Sequence, residues 1–317
     1  MPARFDDIDL IILEQMENDA RTDLKDIAEK CSLTSSAVLN RIKRLRAEKI
    51  IVGTRLELKR GIFGFLVDAT VAISAENSQV DQVFQKLKDI HNVRVCARTI
   101  GKYNVFAQIF AKNLSDMGNI THRIRNITGV REISSNIYID DSFDQMDVFD
   151  PQNPFNLDEM DFGIIDELLK DAQTPFVRIA KTLAISPETV RQRFEKLRKD
   201  GLIIRCSIEF DRSKTGWQGA CFFLISCSKD QPVQSTVKTL KGLQVFKFID
   251  RATGSAFDIS AMTYIKDIKD LASIIAKIEK IPDIRNIETS IATFTYYLFS
   301  PKPHAPHKCD HTKLSQD

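Results

Sequence analysis

The sequence states one plan twice. Asp7–Ile51 aligns without a gap to Glu159–Ile203 at an offset of 152, so that Asp9 meets Asp161 and Arg41 meets Arg193. Asp19/Asp171, Ala20/Ala172, Ile27-Ala28/Ile179-Ala180, Val38/Val190, Leu45/Leu197 and Gly64/Gly216 keep the same offset. A solenoid unit would recur every roughly 20–50 residues, so a repeat of this length duplicates whole domains. Whatever one half does, the chain is built to do in two versions.

The bulk numbers narrow the classes. A chain of 317 residues suggests about two ordinary domains, which the pattern below divides into four. With 43% apolar and 28% charged residues the chain reads as soluble and globular. No apolar run approaches the roughly 18 residues of a membrane helix, and MPARFDDIDL has no signal-peptide core, so a cytoplasmic protein without a membrane partner is expected. The six cysteines form no CxxC pair and read as reduced thiols. Net charge is only +2, but it is unevenly placed. Arg41, Lys43, Arg44, Arg46 and Lys49 crowd one helix against Glu48 alone, whereas Asp140–Asp150 holds five aspartates and no base. That asymmetry points to a polyanion partner.

Within the first copy, apolar spacing predicts a helix over Asp7–Asn18, a short helix over Asp23–Lys30 capped by Thr22, and a third over Ser35–Glu48 capped by Thr34. Val38, Ile42 and Leu45 form the buried stripe of the third. In the second copy Ser186 is the cap and Pro187 takes the first helical position, where its missing N–H costs nothing. Three such helices, the last two joined by a tight turn, make a helix-turn-helix unit. The opposite face of the third helix carries Ser36, Leu39, Asn40, Lys43 and Arg44, a set suited to a major groove. Candidate DNA contacts are Ser36, Asn40, Arg41, Lys43 and Arg44 in the first copy, with Arg191, Gln192 and Arg193 in the second. Double-stranded DNA is the expected partner.

After an extended connector, Ile50–Leu58, the pattern changes to strand, helix, strand, strand, helix, strand, and it does so in both copies. This β-α-β-β-α-β order is the ferredoxin-like plan. The expected fold class is α+β, with two winged or plain three-helix helix-turn-helix domains alternating with two ferredoxin-like domains. The boundaries are 1–52 and 157–205 for the former and 60–141 and 214–300 for the latter, with an acidic linker at 142–156 and a disordered tail at 301–317.

These segments resemble the leucine-responsive regulatory protein/AsnC family of transcription regulators. The resemblance rests on D-x-x-D-x-x-I-L (Asp6, Asp9, Ile12, Leu13), on R-T-D-L-K-D-I-A (Arg21–Ala28) and on the run Leu33–Leu45. Ile50-Ile51 and G-K-Y-N (Gly101–Asn104) complete it. It implies DNA binding coupled to a dimerisation and effector domain that senses amino acids or related metabolites. It implies no cofactor. Family members have a G-x-Y-D loop in the effector pocket, which maps here to Gly101, Tyr103 and Asn104 and, one residue longer, to Gly254, Phe257 and Asp258. The glycine N–H groups suit a ligand carboxylate and Asp258 its ammonium; the alternative is a hairpin turn whose glycine supplies a positive φ. Such regulators dimerise through their ferredoxin-like domains, so the fused chain is expected to form an internal pseudo-dimer or a homo-oligomer.

The copies differ where DNA would be read. Glu188, Arg191, Gln192 and Glu195 replace Ser36, Leu39, Asn40 and Lys43, so the first helix is expected to bind more strongly. A rival reading comes from sirohaem decarboxylases, tetrapyrrole enzymes of the same architecture, for which His91, Arg94, Arg98 and Arg251 are the candidates. His304, His307, Cys309 and His311 in the tail have a spacing able to wrap zinc, but the Pro-rich terminal setting favours disorder.

Overall fold

The computed structural model describes residues 5–59, 65–90, 92–139, 157–228 and 232–298, with side chains as far as Ala292 in the last stretch. The acidic linker, the histidine-bearing tail and His91 lie outside the described residues. The chain divides into two compact units, each drawn from both copies: Met1–Ile62 with Val148–Thr215, and Phe63–Asp147 with Gly216–Asp317.

The first unit pairs the two three-helix segments. In the first copy α1 spans Asp7–Asn18, α2 Leu24–Cys31 and α3 Ser35–Ala47. Asp6 caps α1 through a capping box with Asp9, and Thr34 caps α3 by accepting from Ala37 N. The cap of α2 is Asp23 rather than the expected Thr22, whose hydroxyl instead donates to Asp19 O at 2.8 Å. Ser32 ends α2 in the left-handed region at φ 54°, which turns the chain into α3. Ile12, Leu13, Ile27, Val38 and Leu45 are almost wholly buried in the core; such side chains contribute about 1.5–3 kcal/mol each.

The expected connector is a strand, β1 (Ile51–Leu58). It does not fold back into a hairpin wing. In the second copy α6 (Glu159–Lys170), α7 (Phe176–Leu183) and α8 (Pro187–Lys199) repeat the three helices, and β6 (Ile203–Phe210) runs antiparallel to β1. A lone strand leaves a row of unpaired backbone groups, and the counterpart strand satisfies them.

The second unit holds the α/β segments. The first copy gives β2 (Val67–Ala75), α4 (Val80–Lys88), β3 (Val93–Ile100), β4 (Val105–Ala111), α5 (Leu114–Arg125) and β5 (Val130–Ile139). The second gives β7 (Gly219–Cys227), α9 (Val233–Gly242), β8 (Phe248–Thr253), β9 (Ile259–Ile265), α10 (Ile268–Glu279) and β10 (Ile284–Leu298). The expected order of elements is present in both. The two four-stranded sheets are not separate, however: they join edge to edge as a closed barrel, β10-β3-β4-β2-β5-β8-β9-β7. At one seam Tyr138 on β5 faces Ala252 on β8. At the other, the 15-residue β10 is long enough to pair with β7 over its first part and with β3 over its second.

Strand alternation sorts the barrel walls. On β2, Val67, Ala69, Val71 and Ile73 pack beneath α4 and α5 in one apolar core. The second copy builds a like core from Phe223, Ile225, Leu240, Ile259 and Ile274. A third cluster mixes both copies on the opposite sheet faces: Ala72, Ala97, Tyr103, Phe106, Leu224, Phe257 and Ala292, with the Phe106 and Phe222 rings stacked at 4.8 Å.

Candidate functional site

Two places carry candidate function, the exposed faces of α3 and α8 in the first unit and the glycine loops in the second. On α3 the buried stripe of Val38, Ile42 and Leu45 anchors the helix, leaving Ser36, Leu39, Asn40 and Lys43 exposed. Ser36 Oγ lies 3.0 Å from the capping Thr34 Oγ1, at the helix start. Lys43 makes no ion pair among the described residues.

Arg41 and Arg44 have a different setting. Asp9 is fully buried, and its carboxylate needs donors. Arg41 Nη1 supplies one at 2.8 Å while also binding Asp6 Oδ1 at 2.8 Å, and Arg44 Nη2 donates to Asp9 Oδ2. Burial pushes the Asp6 carboxyl up, but the hydrogen bonds from Arg41 and from the Asp9 backbone outweigh it and hold the pKa below the ordinary value. The Arg41 pKa is raised in turn by its bonds to Asp6 and Asp9. In the second copy Arg193 Nη1 does the same work, 2.7 Å from Asp158 and 2.8 Å from Asp161. Three residues read from sequence as DNA contacts thus tie the third helix of each copy to the capping box of its first. The D-x-x-D spacing of Asp6 and Asp9 carried the signal, since it is the capping box itself.

On α8, Arg191 is turned onto its own helix. Its Nε and Nη2 donate to the two Glu188 oxygens at 3.0 and 2.8 Å, and Gln192 Nε2 donates to Glu188 Oε1 at 3.0 Å. The Arg191 bond holds the Glu188 carboxyl below its usual range.

Sequence reasoning missed the residues that join the copies. Arg21 donates to Ala172 O at 2.9 Å and Thr174 O at 2.6 Å, and its guanidinium lies over the Phe176 ring at 4.6 Å. Gln173, at the matching position, returns a bond to Ala20 O at 2.6 Å. Thr54 Oγ1 donates to Asp171 Oδ1 at 2.7 Å, and Arg198 pairs with Asp19 at 3.0 Å. Only a comparison of the copies at the 152 offset could have singled out these polar positions.

The glycine loops sit at the barrel seams. Gly101 has φ +151°, and a Cβ there would stand 2.7 Å from Thr289 O and 2.8 Å from Ser290 Oγ on β10. Gly254, at φ +89°, faces Ser135 O on β5. Tyr103 is 2% exposed and Phe257 6%, both inside the shared apolar cluster. Tyr103 OH donates to Glu132 Oε1 at 3.3 Å. Asn104 clamps the end of β2, accepting from Ala75 N and donating to Ala75 O, each at 2.8 Å. Asp258 accepts from Cys227 N at 2.7 Å, the equivalent bond on β7. All six expected effector residues therefore take part in internal contacts: Gly101 and Gly254 are crowded by the other copy, Tyr103 and Phe257 enter the cluster shared by both copies, and Asn104 and Asp258 bond strand ends of their own copy.

Of the residues of the tetrapyrrole reading, the three arginines lie among the described residues. Arg98, on β3, pairs with Asp81 at 2.7 Å, and Arg94 lies over the Phe110 ring at 5.3 Å. Arg251 is on β8, separated from β3 in the barrel by β4, β2 and β5. Among the described residues no group of three or more His, Cys, Asp or Glu could hold a metal ion, and no helix is long and apolar enough to cross a membrane.

Comparison with known proteins agrees with the family resemblance carried by the sequence. The AsnC-type helix-turn-helix domain matches residues 5–46 and again 157–198, and the Lrp/AsnC ligand binding domain matches residues 68–148. The regulatory protein AsnC of Haemophilus influenzae is 31% identical over 149 residues, 47% of this chain and 99% of that protein. The HTH-type transcriptional regulator LrpA of Pyrococcus abyssi is 34% identical over 134 residues, 41% of this chain and 92% of that one. Each relative thus corresponds to about one copy. Among solved structures, the sirohaem decarboxylase NirDL covers 90% of this chain and 91% of its own, with a TM-score of 0.61 and 14% identity, a likeness of fold.

Proposed function

Since the chain belongs to the Lrp/AsnC family of transcriptional regulators, we propose that its helix-turn-helix unit binds duplex DNA in the way two family subunits would, as a pseudo-dimer within one chain. The observation that carries this reading is the face of α3. Ser36, Asn40 and Lys43 are exposed and project from a helix held rigidly by Arg41, Arg44 and the buried Asp9. Short polar groups near the helix start reach base edges, and Lys43 reaches a phosphate. Arg41, Arg44 and Arg193 keep partial exposure and set the helix angle, meeting phosphates only while bonded to their aspartates. Arg191 and Gln192 are the corresponding groups of α8. The test is DNA selected from a random duplex library by the whole chain, followed by binding at graded salt. Lys43→Ala is expected to reduce the slope of log affinity against log salt by about 0.9, the contribution of one phosphate. No selected sequence, or an unchanged slope, counts against the proposal.

The match of residues 68–148 to a ligand binding domain supports a second element, sensing of an amino-acid-like effector by the barrel unit. We read each half of that barrel as ferredoxin-like, by its order of elements. With Tyr103 and Phe257 buried in the shared cluster, and Asn104 and Asp258 bonded to strand ends of their own copies, the backbone of the Gly101 and Gly254 turns is the part of each loop left to meet a ligand carboxylate. Calorimetric titration with the amino acids tests this, and binding that survives Gly101→Ala and Gly254→Ala together would place the effector elsewhere. The non-enzymatic reading is favoured over tetrapyrrole chemistry by the transcriptional regulators that each copy resembles. The absence of a membrane-length helix among the described residues is in keeping with work in the cytoplasm.

A further inference from the structure

Ser36, Leu39, Asn40 and Lys43 of α3 sum to one positive charge; their counterparts Glu188, Arg191, Gln192 and Glu195 of α8 sum to one negative charge. The larger difference lies in how those groups are held. On α3 the reading groups are not bonded to one another, apart from the contact of Ser36 with the cap. On α8 a single carboxylate, Glu188, accepts both nitrogens offered by Arg191 and the amide of Gln192. Glu188 sits in the first turn, where the positive end of the helix stabilises a carboxylate. That same end would otherwise attract a DNA phosphate, and the carboxylate occupies it with the wrong charge.

We propose that Glu188 is a specificity determinant that restrains the second reading helix, so that this regulator recognises a non-palindromic duplex. One half-site is then read through bases by α3, and the other is held by backbone contacts with little base information. The inference rests on the DNA-binding reading and goes beyond it, because a homodimer of two like subunits is bound by its symmetry to read both half-sites alike. The fold here keeps the symmetry of the frame: the capping boxes, the β1–β6 pair and the cross-copy bonds of Arg21 and Gln173 all recur.

The restraint is weak enough to be removed by one substitution. Both partners of the Arg191–Glu188 pair are more than half exposed, and such pairs contribute little to folding. The experiment selects binding sites from a random duplex library with the full chain, and repeats it with Glu188→Ser, which restores the residue of the first copy, and with Glu188→Ser/Glu195→Lys. The native chain should yield a motif with its information concentrated in one half. The double variant should yield a motif with information in both halves and bind it about tenfold more tightly than the native chain binds its own site, as expected when two carboxylates are removed and one amine is added beside phosphates. Glu188→Gln, which removes the charge but keeps an acceptor, should fall between. Equal information in both halves for the native chain overturns the proposal, as does a double variant that selects the same one-sided motif. Failure of the native chain to select any sequence would overturn the DNA-binding reading as well, which separates the two failures.

Discussion

Replacing Gly101 with alanine tests the seam of the barrel directly. Its φ of +151° lies in a region that residues with a Cβ rarely adopt, and holding alanine there costs about 1–3 kcal/mol. The new methyl would meet Thr289 O at 2.7 Å and Ser290 Oγ at 2.8 Å, well inside contact distance. Thr289 belongs to β10, held there by its pairing with Phe223 of β7, so its carbonyl has little freedom to withdraw. Overpacking of this kind adds about 1–3 kcal/mol. The sum, roughly 2–6 kcal/mol, is a large part of the 5–15 kcal/mol that holds a typical domain. Two other glycines calibrate it. Gly254→Ala meets strain at φ +89° but a nearest neighbour at 3.2 Å, so about 1–3 kcal/mol is expected. Gly118→Ala, exposed in α5 with nothing within 4 Å of the new Cβ, should stabilise by about 0.5–1 kcal/mol. Urea midpoints should therefore rank Gly118→Ala above the native chain, then Gly254→Ala, then Gly101→Ala. A Gly101→Ala variant as stable as the native chain, without any ligand present, would refute the assignment of this loop to barrel closure.

Three further outcomes are expected. Asp6 and Asp158 have carboxyls held below their ordinary values, so their contribution is complete above the unfolded pKa of about 4 and is lost as pH falls through the lower folded values. Unfolding free energy measured from pH 6 to 2.5 should fall along this acid limb, and less steeply in Arg41→Ala/Arg193→Ala; an identical limb would contradict the ion-pair account. Burial pushes the thiols of Cys96 and Cys221 up to about 12 and that of Cys227 to about 11. Native protein treated with iodoacetamide at pH 8 should leave these three unmodified by peptide mass, and ready labelling would show that the barrel opens. Incubation with an iron tetrapyrrole should leave the visible spectrum of the ligand unshifted, whereas a new stoichiometric band would put the enzymatic reading first.

Local elements were readable because their signals are local. Thr34 and Ser186 are caps in the sequence and in the structure, and α1 occupies the expected residues. The third helix ends at Ala47, one residue before the expected Glu48. Pairing between copies was less legible, because nothing in Ile51–Leu58 states that its partner is Ile203–Phe210 rather than a neighbouring strand. Charge was the most misleading signal. Arg41 and Lys43 look alike in sequence as bases on one helix, yet Arg41 serves the buried Asp9 and Lys43 faces outward. The difference depends on Asp9, 32 residues earlier, being buried. The glycine loops likewise showed that glycine was needed without showing that the crowding group is a carbonyl of the other copy.

The closed barrel also sets an order of events during synthesis. When the first copy has emerged as far as Ile139, β1 and the outer edges of β3 and β5 have no partners. Those partners, β6, β8 and β10, begin at Ile203, Phe248 and Ile284. At about 5–20 residues per second the wait from Ile139 to Leu298 lasts roughly 8–32 s, with strand edges open to any chain nearby. A half-length ancestor would have met a second molecule at those edges. In the fused chain the correct partner is the next segment to leave the ribosome, tethered and therefore at high effective concentration. Duplication thus replaces a concentration-dependent encounter with a timed one, and a chain that closes on itself assembles its Ser36 face with a Glu188 face.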